Sequence, residues 1–131
     1  MKIGDAFLSH DRRIDDHLHI VISDPGLNPG QVVLVQLTSY DKFVHEIYKD
    51  SSCILRPGDH PWIRHETCVS YRDGRVVSEK ILDEAAAAGH LEMVQPVSNS
   101  LLERILQGAE QTDELPNKCR AILEEQGLIE G

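Results

Sequence analysis

The sequence lacks the features that mark several large classes of protein. No run of about 18 apolar residues exists, so a membrane-spanning helix is not expected. The first residues contain no apolar run of signal-peptide length, which favours a cytoplasmic location. Three cysteines, Cys53, Cys68 and Cys119, show no C-x-x-C spacing and are expected to be reduced thiols. Neither G-x-G-x-x-G nor a Walker loop is present, so no nucleotide cofactor is predicted.

The charge balance is acidic and unevenly distributed. The 131 residues carry a net charge of −9, which argues against a general nucleic-acid binder. Residues 1–75 hold 9 Lys/Arg and 11 Asp/Glu, a net of −2, whereas residues 76–131 hold 4 and 11, a net of −7. A neutral or basic groove therefore remains feasible in the first part of the chain.

Aromatic residues are scarce, at 5%, but hydrophobic residues reach 40%, enough for a globular core. The front of the chain has the period-two alternation of strands. Strands are predicted over residues 6–9, 17–23, 32–38, 52–55 and 67–72, and residues 39–49 are expected to form a loop with a helical turn. Asp73-Gly74 predicts a hairpin that returns through residues 75–77.

Beyond Val77 the apolar period changes to that of helices. Ser78 is predicted to cap a helix that ends at Gly89, and Ser100 with Glu103 forms a capping-box pattern. Pro116 suits the first turn of a last helix that Gly127 ends. We therefore predict a mainly β fold with C-terminal helices: a small β-barrel followed by two or three α-helices.

Several short motifs in this order resemble the PemK/MazF family of toxin endoribonucleases. They are Gly4-Asp5 before the first strand, residues 17–23 as a second strand, residues 33–39 (VLVQLTS) and residues 66–69 (ETCV). The resemblance covers residues 3–82. It implies an SH3-like barrel over residues 1–82, with an acidic helical extension over residues 83–131 packed on the barrel or on a partner.

The resemblance also implies a function. Family members cleave RNA without a metal, by attack of a 2′-hydroxyl, and an antitoxin protein restrains them. A prokaryotic toxin that acts on single-stranded RNA as a homodimer is therefore expected, with no cofactor and no membrane partner. The family's arginine at the start of the second strand is replaced by His17, followed by Leu18 instead of proline. Histidine can act as a general acid or base near neutral pH.

Four residues are the candidate catalytic group. His17 and His19 are two apart on a predicted strand, so both should point to one face. Thr38 and Ser39 end the next strand, where hydroxyl groups can bind phosphate. The alternatives are a solvated strand face for the histidines and a self-capped strand end for the hydroxyls.

Three further residues are candidates for binding substrate. Arg12 and Arg13 lie in a loop that could cover RNA, or they are simply exposed. Trp62 could stack on a base, or it could fill the end of the barrel.

A metal site is not predicted. Cys53, His60, His65 and Cys68 have the residue types for zinc, but their intervals match no standard ligand pair. The alternative to the whole enzymatic interpretation is a catalytically silent SH3-like barrel of prophage or mobile-element origin. Such a barrel would act as an interaction module that binds another protein. His17 in place of arginine and the acidic balance favour that alternative.

Overall fold

A computed structural model describes residues 1–40 and 50–130 of the chain. Helices occur only after Ser78 in these residues, as the change of period predicted. The predicted loop over residues 39–49 lies almost entirely outside the described residues. The strands are β1 (Ala6–Ser9), β2 (Leu18–Val21), β3 (Gln31–Ser39), β4 (Ile54–Leu55), β5 (Thr67–Ser78) and β6 (Leu91–Val94). The helices are α1 (Glu79–Ala87), α2 (Asn99–Gln111) and α3 (Asn117–Glu125).

The six strands form one antiparallel sheet that curls into a half-barrel. The strand order is β4-β5-β3-β2-β1-β6, so β3, the longest apolar strand, lies inside the sheet. Residues 25–30 (PGLNPG), which are rich in the turn-forming residues proline and glycine, reverse the chain between β2 and β3. A central position explains why β3 is buried on both faces over residues 32–37.

Each face of the sheet carries its own hydrophobic core. The first face packs against α2 and α3, and its core includes Val33, Val35, Leu37, Ile105 and Leu123. The second face packs against α1, and its core includes Phe7, Val21, Val32, Leu34, Leu82 and Ala85. Successive residues of β3 therefore belong to different cores, as the alternation of side chains along a strand requires.

The predicted hairpin at Asp73-Gly74 is wrong. Residues 67–78 form one strand, β5, that runs antiparallel to β3 with an irregularity near its middle. Leu34 faces Arg75 and Gln36 faces Ser70, so four residues of β5 bulge out opposite Val35. A Cβ at Gly74 would lie 2.9 Å from the Tyr71 carbonyl oxygen. The glycine is needed for this close approach within a bulge and does not form a turn.

The helix ends follow mostly from local signals. The Ser78 hydroxyl accepts a hydrogen bond from the Ile81 amide at 3.2 Å, which confirms the predicted cap of α1. The predicted cap of α2 at Ser100 is wrong, because Ser98 accepts the bond from the Leu101 amide at 3.1 Å. Gly127 follows α3 with φ of +72°, the left-handed conformation expected after a helix.

Strand β6 was not expected from the sequence. Residues 91–94 lie in the part of the chain predicted to be helical, yet they pair antiparallel with β1 at the edge of the sheet. Met93, at the middle of this strand, is half exposed. Because an edge strand with one solvated face has a weak apolar pattern, its four residues gave no period-two signal. No helix in residues 1–40 and 50–130 is long and apolar enough to cross a membrane.

Candidate functional site

A polar cleft lies on the second face of the sheet. Its volume is about 290 Å³. Strands β3 and β5, the loop before β2 and the loops around Asp50 and Glu114 supply its walls. The lining residues are Asp15, His17, Gln36, Thr38, Asp50, Cys68, Ser70, Arg72, Asp73 and Glu114.

The cleft exists because the side chains that β3 places on the second face change from apolar to polar along the strand. Val32 and Leu34 are apolar and belong to the core under α1. Gln36 and Thr38 come next on the same face, and both line the cleft. The apolar core therefore stops between residues 34 and 36, and polar side chains continue the same face of the strand.

His17 and Asp15 form one wall. The His17 Nδ1 atom lies 3.9 Å from an Asp15 carboxylate oxygen, and the Arg75 guanidinium lies 3.6 Å from the same oxygen. The Asp16 amide donates a hydrogen bond to the other Asp15 oxygen at 2.8 Å. That bond is the main reason why the pKa of Asp15 is lowered, so the carboxylate stays ionised at neutral pH.

The backbone at Asp15 is unusual. Among the described residues it is the one non-glycine residue with a positive φ, at +90°. Such a conformation costs about 1–3 kcal/mol and recurs at functional sites, where the surrounding structure holds it. Here the carbonyl of Asp15 accepts a hydrogen bond from the His19 ring at 3.1 Å, which fixes the loop before β2.

The bulge of β5 forms the opposite wall. Ser70 faces Gln36 across the sheet, and the Ser70 hydroxyl donates a hydrogen bond of 2.5 Å to an Asp73 carboxylate oxygen. In a regular strand the spacing of these residues would carry Asp73 away from Ser70. The bulge turns Asp73 back toward Ser70 and the cleft, which is how bulges commonly re-aim side chains.

Gln36 is the most unusual group in the cleft. It is only 4% exposed, and no residue in the described part of the chain donates a hydrogen bond to its Oε1 atom. Burying an unsatisfied polar atom costs about 1–3 kcal/mol. An unpaired buried acceptor calls for an explanation, and a donor on a water or a ligand bound in the cleft would satisfy it.

His19 does not share the cleft with His17. It is 1% exposed, and its ring stacks on Phe7 with ring centres 5.5 Å apart. Because the Asp15 carbonyl can only accept, the neutral ring must carry its proton on Nε2. Burial lowers the pKa of His19 to about 4, which leaves it neutral at physiological pH. The structure gives it a packing role and a hold on the Asp15 loop.

The two hydroxyl residues also separate. Thr38 lines the cleft. Ser39 is exposed, and its Oγ atom lies 2.8 Å from the His65 Nε2 atom. Adjacent strand residues point to opposite faces, so only one of the pair can lie beside His17.

The three candidate substrate-binding residues lie outside the cleft lining. Arg13 bonds to the Asp11 carboxylate and, at 2.9 Å, to Glu84 of α1, so it ties the loop to the helix. Its hydrogen bonds keep the pKa of Asp11 well below the usual range. Arg12 is exposed, and Trp62 is 45% exposed.

The histidine and cysteine candidates for zinc do not assemble. No group of three or more His, Cys, Asp or Glu residues within residues 1–40 and 50–130 is arranged to hold a metal ion. His60 is buried, its Nε2 atom lies 2.5 Å from the Gln95 carbonyl, and its Nδ1 atom accepts from the Trp62 amide. Cys53 is buried too, and burial raises the pKa of its thiol. These residues stabilise a packed corner.

Sequence reasoning missed most of the polar lining. Gln36, Ser70, Arg72 and Asp73 are not among the candidate site residues from the sequence, although Gln36 stands out there as a polar residue inside an otherwise apolar strand. The charge of the lining was also missed. Four carboxylates, Asp15, Asp50, Asp73 and Glu114, outnumber the single guanidinium of Arg72. The cleft is therefore a place for hydrogen-bond donors and positive charge, apart from the rim near Arg72.

Comparison with models of known protein families gave no match, and neither did comparison with curated proteins.

Proposed function

We propose that the protein is a metal-independent RNA endoribonuclease of the PemK/MazF-like kind, built on an SH3-like barrel. The observation that carries the proposal is the position of His17 and Thr38. The sequence resemblance paired these residues, which come from different parts of the chain, and both line one cleft. Arg72, which the resemblance did not supply, lies in the same lining.

The proposed reaction needs a base, an acid and a positive group. The base removes the proton of an RNA 2′-hydroxyl, and the oxygen attacks the adjacent phosphorus. The bond from phosphorus to the 5′ oxygen breaks, and the acid protonates that leaving oxygen. The products are a 2′,3′-cyclic phosphate and a 5′-hydroxyl end, with no net change in protons or electrons.

The residues of the cleft can divide this work. The His17 imidazole can serve as the general acid or base, and the Asp15 carboxylate lies 3.9 Å from its Nδ1 atom. The Arg72 guanidinium can bind the phosphate, and the Thr38 hydroxyl lies where it can contact the ribose or the phosphate. His19 has no chemical role in this scheme, because it is buried behind Phe7.

The proposal extends to partners. A homodimer that binds single-stranded RNA, restrained by an antitoxin protein, is the arrangement that the resemblance implies. Helices α2 and α3 cover the first face of the sheet, whereas the cleft lies on the second. These two helices therefore lie away from the proposed RNA site, although Glu114, between them in the sequence, lines the cleft.

The test is cleavage of a long single-stranded RNA by the purified protein, with the new ends mapped. We expect cleavage to persist in EDTA and to fall at high salt, because screening weakens phosphate contacts. His17→Ala should reduce the rate by at least about 100-fold, the lower bound for loss of a general acid or base. His10→Ala is the matched control, since His10 is exposed and does not line the cleft.

Two results would contradict the proposal. Cleavage that requires a divalent metal would reject the mechanism. Cleavage that is unchanged in a His17/Thr38/Arg72 triple variant would reject the site.

A second candidate function is a catalytically silent interaction module that binds a basic segment of another protein. The surplus of carboxylates in the cleft favours it, because those groups attract Lys and Arg side chains. It predicts no RNA cleavage under any condition. It also predicts a complex with a basic protein partner that weakens when Asp73 is changed to Asn.

A further inference from the structure

The cleft presents an unusual set of hydrogen-bond acceptors at its base. The Oε1 atom of Gln36 has no donor within the described residues, and the side chain is 96% buried because its exposure is 4%. Asp73 lines the same cleft, and Ser70, which pairs with Gln36 on the neighbouring strand, donates to one oxygen of its carboxylate. Two acceptors, one neutral and one anionic, therefore belong to one cleft.

We propose that this acceptor pair binds the Watson–Crick edge of a guanine base, so that the cleft selects guanine in single-stranded RNA. The inference rests on the proposed function, since it names the base that the nuclease would read. Unpaired bases in single-stranded RNA are commonly read by hydrogen bonds to this edge.

The donor pattern of the bases favours guanine. Its Watson–Crick edge carries two adjacent nitrogen donors, N1–H and the N2 amino group. Adenine and cytosine each present one amino donor beside a ring acceptor, and uracil presents one N–H between two carbonyl acceptors. Gln36 Oε1 and Asp73 are two acceptors, and guanine alone has two adjacent donor groups to match both, so each of the other three bases would leave one acceptor without a donor.

The size of the cleft also suits a base. Its volume of about 290 Å³ lies at the lower end of the range of about 300–1,000 Å³ that is usual for small-molecule pockets. Guanine has eleven heavy atoms, so it fills such a space better than the four-atom guanidinium of an arginine side chain. The proposal also gives the Asp73 carboxylate a partner other than phosphate, which it would repel.

The positions of the remaining lining residues agree with this reading. His17 and Asp15 stand on the wall formed by the loop before β2, and Arg72 lies in the bulge next to Asp73. A base at Gln36 and Asp73 would leave the sugar and phosphate to Arg72, Thr38 and His17. Selection of the base and cleavage beside it would then occur in one cleft.

The first experiment measures binding of the four free nucleosides to the full chain by calorimetry or by NMR titration. Nucleosides carry no phosphate, so binding reports on the base pocket and not on catalysis. We expect guanosine to bind at least about tenfold more tightly than adenosine, cytidine or uridine, as loss of one hydrogen bond to a charged group predicts. Inosine, which lacks the 2-amino group, should bind with intermediate affinity.

Variants locate the site. Gln36→Leu and Asp73→Asn should each weaken guanosine binding by about tenfold or more. Gln107→Leu is the matched control, because Gln107 belongs to α2 and lies in a different depression, so binding should be unchanged. Asp73→Asn keeps the shape of the side chain, so it tests the site even if Gln36→Leu alters packing.

The outcomes separate this inference from the proposed function. RNA cleavage without preference for guanine, or equal binding of all four nucleosides, would overturn the inference and leave the nuclease standing. Guanosine binding without RNA cleavage would support the pocket and remove the nuclease. Binding of N-acetyl-arginine amide in place of guanosine would overturn the inference in favour of a basic protein partner.

Discussion

The two faces of the sheet are built on the same strands but serve different ends. On the first face, the residues that β3 contributes to the core are all apolar, and α2 and α3 cover them. On the second face, α1 covers only the apolar part, and Gln36 and Thr38 continue into an open polar cleft. The first face stabilises the fold through a continuous apolar core, whereas the second face buries fewer apolar side chains because part of it forms the cleft.

The largest contrast between the faces should come from truncating their side chains. Ile105 of α2 is fully buried in the core of the first face, so Ile105→Ala should reduce the free energy of unfolding by about 2–5 kcal/mol. Arg72→Ala at the cleft removes an exposed side chain and should change it by less than about 0.5 kcal/mol. Urea unfolding measures both. Equal losses would erase the distinction.

The next effect belongs to His19, which lies on the second face at the border between core and cleft. Its folded pKa is about 4, lowered by burial from 6.5. Above pH 6.5 both states are neutral and stability is complete. As the pH falls, the unfolded chain takes the proton first, so stability is lost down to about pH 4.

The expected loss between pH 7 and pH 4 is about 3 kcal/mol. His19→Phe removes the titration while it keeps an aromatic ring beside Phe7. On acidification from pH 7 to pH 4, the free energy of unfolding of the natural chain should therefore fall by about that amount relative to the variant. Urea unfolding at several pH values measures it. A pH dependence identical in the two proteins would show that His19 titrates normally.

A smaller effect tests how closely α2 approaches the first face. The Tyr71 hydroxyl donates to the Ile105 carbonyl at 2.6 Å, and a Cβ at Gly108 would lie 2.2 Å from that hydroxyl oxygen. Gly108→Ala should therefore cost about 1–3 kcal/mol through overpacking.

Tyr71→Phe removes the oxygen and should cost about 1 kcal/mol by itself. The double variant should be less destabilised than the sum of the two single variants, because the clash is partly relieved. Strict additivity in urea unfolding would mean that Gly108 and Tyr71 do not meet.

The smallest effect concerns the attachment of helix α1, which covers the second face. Arg13 and Glu84 form an ion pair of 2.9 Å between two side chains that are each nearly half exposed. Glu84→Gln should lower stability by less than about 1 kcal/mol, and by less still in 1 M salt. A larger, salt-independent loss would show that the pair holds α1 on the sheet.

The sequence predicted the parts of the fold that local patterns control. Period-two alternation located β2, the apolar run of residues 32–38 located β3, and Ser78 with Gly89 bounded α1. Two features were predicted incorrectly, one because its sequence pattern occurs in two different structures and one because its pattern is too short. Asp-Gly is common in hairpins, but here Gly74 permits a close backbone contact in a bulge, and a four-residue edge strand such as β6 has too little pattern to detect.

The candidate site could be predicted only in part. His17 and Thr38 were named from the sequence, and both line the cleft. His19 was placed beside His17 by strand periodicity, but the face they share is already core at residue 19, so the ring is buried against Phe7. Asp73 reaches the cleft through the bulge, and no local pattern in the sequence indicates that long-range register shift.

The central claim is that the second face holds a ligand site at the expense of stability, and the unfolding free energy of Gln36→Leu tests it most directly. The account predicts a gain of about 1–3 kcal/mol, because the substitution removes a buried acceptor that has no donor within the described residues. Guanosine binding should be lost in the same protein. A loss of stability with unchanged binding would contradict the account, since Gln36 would then be a structural residue of β3.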